Sequence, residues 1–384
     1  MKRWITFLLV LTFLVVPVPK VDATTLDVPA PSAILMDAAT GTVLYEKNAH
    51  EKLAPASVTK VMTLLLVMEA LDRGQISWAD KVTASSAAAG KGGSQIYLEP
   101  GEQLSMDEMI KSVVVSSAND CATALAEHVA GSEAAFVNLM NERAAALGLE
   151  DTHFVNCTGL DDEPNAAEHL TSAYDLAVMS RELLRHDRIR DYTTIWMDTV
   201  RDGKFGLSNT NKLVRFFDGT TGLKTGYTSS AGHCLSASAK REGMELIAVV
   251  LHCNSSMDRF ESAKTLLSFG FANFALVNTE PPEPLPPVKV SLGTQSLVTP
   301  ILQSTAPILI EKTALSHITK TVNLSPEAKA PISQGQRLGT MVISAGDRTL
   351  AEIPIEAGAT VDRVTLWQLT VNLLRKMCMA ETPS

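Results

Sequence analysis

Ala54-Pro55-Ala56-Ser57-Val58-Thr59-Lys60 runs straight into a helical apolar repeat, Val58, Met62, Leu65, Leu66 and Met68, which Gly74 stops after Arg73. A serine opening that helix, with a lysine three residues on, puts both on one face, the amine in reach of the hydroxyl. A lysine at its ordinary pKa is protonated and accepts no proton. Burial, or a second cation close by, lowers that pKa and makes the amine a usable base. Alone, Ser-x-x-Lys reads equally as a capped helix with a solvated lysine, since chance supplies about one such spacing in a chain of this length. Its weight comes from its company.

Two further triplets each occur once, in order along the chain. Ser117-Ala118-Asn119 lies between two expected helices, where Asn119 can cap helix 119–130 and aim Ser117 outward. In a cleft, the Ser117 hydroxyl would pass a proton to a leaving amine, and the Asn119 amide would orient a peptide group. Lys224-Thr225-Gly226 puts a cation and a hydroxyl on a strand edge, which suits a terminal carboxylate, while Gly226 lets a substrate backbone lie close. Lys224 is also the candidate second cation for Lys60. Read singly, the first triplet is a helix cap and the second a surface lysine before a turn. Read with Ser57 and Lys60, they complete a nucleophile, a base, a relay and a carboxylate anchor. That is a serine acyltransferase with no catalytic histidine.

The 384 residues, 46% hydrophobic and 20% charged, suffice for two domains. Lys2 and Arg3 precede an apolar run from Trp4 to Val18, and Val21-Asp22-Ala23 offers a cleavage site, so 1–23 reads as a secretory signal peptide. The run is short for an uncleaved membrane anchor. Losing it deletes three cations and one carboxylate, taking the net charge from −9 to −11. An acidic chain without basic and aromatic residues interleaved is a poor nucleic-acid binder. Five scattered cysteines make no disulfide framework, though one bridge has room, and no C-x-x-C pair occurs. The eight histidines lack ligand spacing, so neither a metal nor a cofactor is expected.

Thr279-Glu-Pro-Pro-Glu-Pro-Leu-Pro-Pro287, with five prolines in nine residues, reads as an extended linker between a region 24–278 and a smaller one, 288–360. In the larger region strands are expected at 33–37 and 43–46, and a hairpin at 232–240 and 244–253. Helices are expected at 57–73, 106–115, 119–130, 133–147, 172–185 and 256–274, with Ser172 and Asp175 resembling a capping box. Strands at both ends with helices between them point to an α+β fold, one antiparallel sheet with helical layers. Short runs such as 288–291, 308–310, 341–343 and 351–355 make the smaller region all-β. In the tail, 361–380, Val364, Trp367, Val371 and Leu374 recur at helical spacing, with Arg363, Arg375 and Lys376 beside them. This suits a helix docked on the β module or one lying in a membrane interface; in an exported chain the membrane surface is preferred.

The ordered set of Ser-x-x-Lys, Ser-x-Asn and Lys-Thr-Gly is the signature of penicillin-recognising serine enzymes. The chain resembles the D-alanyl-D-alanine carboxypeptidases, low-molecular-mass penicillin-binding proteins of the S11 peptidase type. Ala33-Ile-Leu-Met-Asp-Ala-Ala-Thr-Gly-Thr-Val-Leu-Tyr-Glu46, Asn209-Thr-Asn-Lys-Leu213, Gly222-Leu-Lys-Thr-Gly-Tyr-Thr228 and Gly335-Gln-Arg-Leu-Gly339 are similar to that family's sequences. The resemblance implies a β-lactamase/transpeptidase-like domain, an all-β domain and a membrane-associating tail, on the outer face of the cytoplasmic membrane. It implies that Ser57 takes the acyl group, Lys60 is its base and Ser117 the relay. Asn119, Lys224, Thr225 and Gly226 would bind substrate, and the backbone N–H groups of Ser57 and Tyr227 would form the oxyanion hole. Family members often carry histidine where Tyr227 stands. Arg259 matches a family arginine that holds the substrate carboxylate. The substrates implied are peptidoglycan stem peptides, with β-lactams as acylating inhibitors. A β-lactamase would need a glutamate-activated water; Glu163-Pro-Asn-Ala-Ala167 resembles that loop but lacks its Leu-Asn ending, and Ser-Ala-Asn replaces Ser-Asp-Asn. A non-catalytic wall-binding scaffold would not require Ser57, Lys60 and Lys224 together.

Overall fold

The computed structural model describes residues 26–371, which fall into two compact units, the second beginning at Ala275. In the first, five antiparallel strands lie in the order Val43–Lys47, Ser32–Asp37, Met244–Cys253, Gly232–Arg241, Thr220–Thr228. The two ends of this unit therefore meet in the middle of one sheet, with Ile34 opposite Val249. Both strand pairs expected from the sequence are present, and the α+β arrangement follows. Thr220–Thr228 is an outer strand, so one of its edges is open to pair with something other than the sheet.

The Lys60–Asp72 helix runs through the centre of the unit. Val61, Met62, Leu64, Leu65, Val67 and Met68 are all buried, so its apolar residues go all the way round, as burial on every side requires. The α-helix starts at Lys60, not Ser57. Ser57 occupies a preceding 3₁₀ turn, Ala56–Thr59, entered through Ala56 at φ +50°. Helices Met106–Val115, Asn119–Ala130, Glu133–Ala146 and Ala173–Leu183 also contribute side chains to the core around it.

Helix starts follow local chemistry. Ser105 and Glu108 form a full capping box. Ser172 accepts from the Asp175 N–H, but the Asp175 carboxylate does not return the bond; it accepts from Asp151 N–H and the Thr152 hydroxyl. The resemblance to a capping box is thus half right, because a tertiary partner captures the acid. Asn119 does not cap its helix either: Ala118 holds that position, and the Asn119 amide is used elsewhere.

The second unit is all-β apart from a 3₁₀ turn at Lys312–His317 and the start of the tail helix. Pro300–Leu302, Arg348–Ala357, Arg337–Ala345 and Ile318–Leu324 form a four-stranded antiparallel sheet. Val288–Ser291 pairs antiparallel with Leu297–Val298 and parallel with Glu327–Lys329. The proline-rich stretch lies against this unit: Lys320 donates to Asn278 Oδ1 and the Glu280 carbonyl, and Leu285 packs on Met341, Ile343, Ile353 and Ile355.

The tail helix begins at 366, later than its periodicity suggests, because the residues before it are held by isolated β-bridges. Val361 bridges Ile332, Arg363 bridges Gly293, and Val364 N–H donates to the Leu292 carbonyl. Thr365 and Gln368 then form reciprocal capping bonds. Leu366 and Trp367 are exposed. The rest of the expected amphipathic helix, and the whole of 1–23, lie outside the described residues. Among the described residues no helix is long and apolar enough to cross a membrane. Cys121, Cys157, Cys234 and Cys253 are buried and unpaired by disulfides.

Candidate active site

Ser57 sits where the central helix begins, and Lys60 lies directly beneath it. The Lys60 amine is fully buried and donates to Ser57 Oγ at 2.9 Å and to the Thr158 carbonyl at 2.8 Å. Burial pushes its pKa down to about 7, against the opposing pull of the Cys157 and Asp120 sites. Of the two agents the sequence left open, burial and a second cation at Lys224, the structure favours burial. Repulsion between the two amines falls instead on Lys224, whose pKa is driven well below the ordinary lysine value by burial, then by Lys60 and Arg259.

The outer strand reaches the same point from the other side. A side chain at Gly226 would stand 2.9 Å from the Pro55 carbonyl and 3.0 Å from the Ser57 N–H nitrogen. What approaches Gly226 is thus the turn that carries Ser57. Gly159, at φ +83°, is constrained likewise, since any Cβ there would overlap the Ala56 carbonyl. Lys224 is buried and donates to the Thr225 carbonyl at 2.9 Å, and the Thr225 hydroxyl donates to Thr210 Oγ1 at 2.7 Å.

Ser117 and Asn119 close the third side. Ser117 is 4% exposed, sits at φ +63°, and its hydroxyl is buried without a hydrogen-bond partner. Strain and an orphaned hydroxyl in one residue are costs that folded proteins tolerate chiefly at functional sites. Asn119 Nδ2 donates to the Gly92 carbonyl at 2.7 Å, leaving Oδ1 buried and unpartnered. The Asp120 charge acts on Lys60, and the Val115 carbonyl accepts from Thr210 N–H, so this loop is tied to both other motifs. A serine hydroxyl with a bonded amine, an unpartnered second hydroxyl, an unpartnered amide oxygen and a second amine behind a strand edge form a set that fits attack on a carbonyl carbon.

Residues 19–255 match the D-alanyl-D-alanine carboxypeptidase family, peptidase S11. The chain belongs to this family. Residues 283–363 match the C-terminal domain of penicillin-binding protein 5. The chain is 43% identical to the carboxypeptidase DacF of Bacillus subtilis over 336 residues, 85% of each chain. It is 34% identical to DacC of Escherichia coli over 355 residues, 89% of this chain and 88% of that one. Penicillin-binding protein 5 from Haemophilus influenzae superposes with a TM-score of 0.74 at 30% identity, covering 88% of this chain and 98% of that structure.

In this S11 chain, the structure gives the surroundings of two further expected residues, Arg259 and Tyr227. Arg259 is buried behind the strand edge, donating to the Gly226 and Cys234 carbonyls and to Ser256 Oγ, with its guanidinium over the Phe260 ring. One of these three bonds braces Gly226, and Arg259 Nε is buried without a partner. Tyr227 is 60% exposed and stacked on His233, ring centroids 4.4 Å apart, an aromatic shelf at the end of the strand. Other site members went unseen. The Thr158 and Gly92 carbonyls carry no side-chain signal, and Thr210 stood within a quoted motif without a role. His169 is buried and neutral, its pKa lowered to about 4 chiefly by burial. With Nδ1 accepting from Val155 N–H, its Nε2 donates to Thr59 Oγ1, which donates to the Ala56 carbonyl and steadies the Ser57 turn.

Proposed function

We propose that this chain is a serine-type D-Ala-D-Ala carboxypeptidase that removes the terminal D-alanine from peptidoglycan pentapeptide stems through an acyl-Ser57 intermediate. The observation that carries this reading is the 2.9 Å bond between a fully buried lysine amine and the Ser57 hydroxyl, beside a strand edge backed by Lys224. Neutral Lys60 takes the Ser57 proton as Oγ attacks the penultimate carbonyl. The backbone N–H groups of Ser57 and Tyr227 receive the developing oxyanion. Ser117 relays a proton to the leaving D-alanine amine, and Asn119 holds the substrate's peptide group. A water molecule then attacks the ester, its proton passing back through Lys60, and Ser57 is freed.

The substrate's terminal carboxylate lies against Thr225, Thr210 and Lys224, with Arg259 adding positive field through Gly226. A carboxylate arriving beside Lys224 offsets the burial that disfavours its charge, so substrate binding draws a proton onto that amine. β-Lactams, whose strained amide meets the same groups, acylate Ser57. The β-lactamase alternative is disfavoured, because its candidate base Glu163 is engaged through one oxygen in an ion pair with Lys91 at 2.5 Å. Export by the leader and attachment of the tail to the membrane surface complete the reading and place the enzyme beside its substrate.

Incubation with a diacyl-Lys-D-Ala-D-Ala peptide is expected to release D-alanine, and a fluorescent penicillin to label the protein stably. Ser57→Ala should abolish both. Wild-type protein that releases no D-alanine sinks the assignment; rapid loss of the label would indicate a β-lactamase.

A further inference from the structure

Lys91 is an unusual lysine for a loop. Its amine is mostly buried and bonded to two carboxylates on different segments, Glu133 Oε2 at 2.8 Å and Glu163 Oε1 at 2.5 Å. Burial works against its charge, but the two acids outweigh it and raise its pKa. Each partner stands close to a carbonyl that holds a site nitrogen. Lys91 precedes Gly92, whose carbonyl accepts from Asn119 Nδ2. Glu133 accepts from the N–H and thiol of Cys157 at 3.3 and 3.2 Å, and the next residue is Thr158, whose carbonyl accepts from Lys60. Glu163 lies farther along that loop. The two loops also touch: a Cβ on Gly93 would meet Asn119 Nδ2 at 2.8 Å and the Leu160 side chain at 3.2 Å. Glu133 opens a 14-residue helix, so the ion cluster is fastened to a rigid element at an end that favours negative charge.

We propose that Lys91, with Glu133 and Glu163, is a positioning clamp for acylation: it locks the carbonyl that seats the Lys60 amine and the carbonyl that seats the Asn119 amide into one rigid unit. The inference rests on Ser57 and Lys60 performing the acylation. Without the lysine, two carboxylates face each other across the loops and push them apart. Misplacing a base by about 1 Å costs on the order of 100-fold in rate. Substrate binding at Thr225 and Lys224, on the opposite side, is left largely intact.

The test measures acylation by a fluorescent penicillin, and kcat and KM on the diacyl tripeptide. Lys91→Met is expected to slow acylation and kcat about 10- to 100-fold with KM changed less than about threefold. Lys91→Arg should recover most of the loss. Because the single changes act through one cluster, Lys91→Met combined with Glu163→Gln should be no slower than Lys91→Met alone. Wild-type acylation rates in Lys91→Met, or equal losses in Lys91→Met and Lys91→Arg, overturn the clamp while leaving the carboxypeptidase reading intact. A wild-type protein that is not acylated overturns both. Should Lys91→Met fail to fold, Glu163→Gln, which removes only the loop half of the clamp, decides by the same rates.

Discussion

Lys60 is the most deeply buried cation beside Ser57 and, in the proposed reaction, the one whose proton decides the rate. With its pKa lowered to about 7, it is protonated in acid and can accept the Ser57 proton only as the pH rises past that value. The acylation rate by a penicillin is therefore expected to climb between pH 6 and pH 8 and then level, following one titration near 7. A rate independent of pH across that range would remove Lys60 as the base. The same burial explains why Lys60→Arg, which cannot lose its proton, should lower acylation by about 10²-fold or more. The i, i+3 spacing of Ser57 and Lys60 was legible in the sequence because helix geometry is local. Which of the two agents shifts the lysine, burial or a second cation, was not, since solvent exclusion is a property of everything packed around a residue.

At the scale of elements, the site is an assembly of turns held at close approach. Gly159→Ala combines a left-handed backbone with a Cβ that would overlap the Ala56 carbonyl, so it should cost about 2–4 kcal/mol in urea unfolding and slow acylation. A fully stable, fully active Gly159→Ala protein would show that the nucleophile's turn is not so constrained. His169 contributes at the same scale. Above about pH 6.5 it is neutral whether folded or unfolded. Between 6.5 and 4 the unfolded chain takes up a proton that the folded one refuses, so stability falls as the pH drops through that window. The loss from this group should be on the order of 2 kcal/mol between pH 7 and 5. Measured by urea unfolding, His169→Gln should show a correspondingly shallower decline; an identical decline would rule His169 out as its source. The long helices were readable, but the expectations that Asn119 caps its helix and that Asp175 completes a capping box failed. Gly92 and Asp151 compete for those side chains, and both are far away in sequence.

At the scale of the whole molecule, the second unit ends in a short stretch of bridged chain before a helix with Leu366 and Trp367 exposed. Truncation after Val364 keeps those bridges and removes the helix. Such a protein is expected to leave the membrane fraction while hydrolysing the diacyl tripeptide at the wild-type rate. Unchanged sedimentation with membranes would transfer the attachment to another part of the chain.

Sequence alone gave two strand pairs of the central sheet, the long helices, the all-β character of the second unit, and Ser57, Lys60, Ser117 and Lys224 as candidates for the chemistry. Each is written in spacing or residue type, and spacing along a helix or strand survives folding unchanged. Short hairpins such as Met197–Val200 with Phe205–Ser208 were missed. Only the tertiary structure decided that burial and not Lys224 tunes Lys60, that Gly226 makes room for the Ser57 turn, that Arg259 braces a carbonyl, and that Lys91 joins two loops. These depend on backbone carbonyls and excluded water, which are the same at every position of a chain until distant segments are brought together.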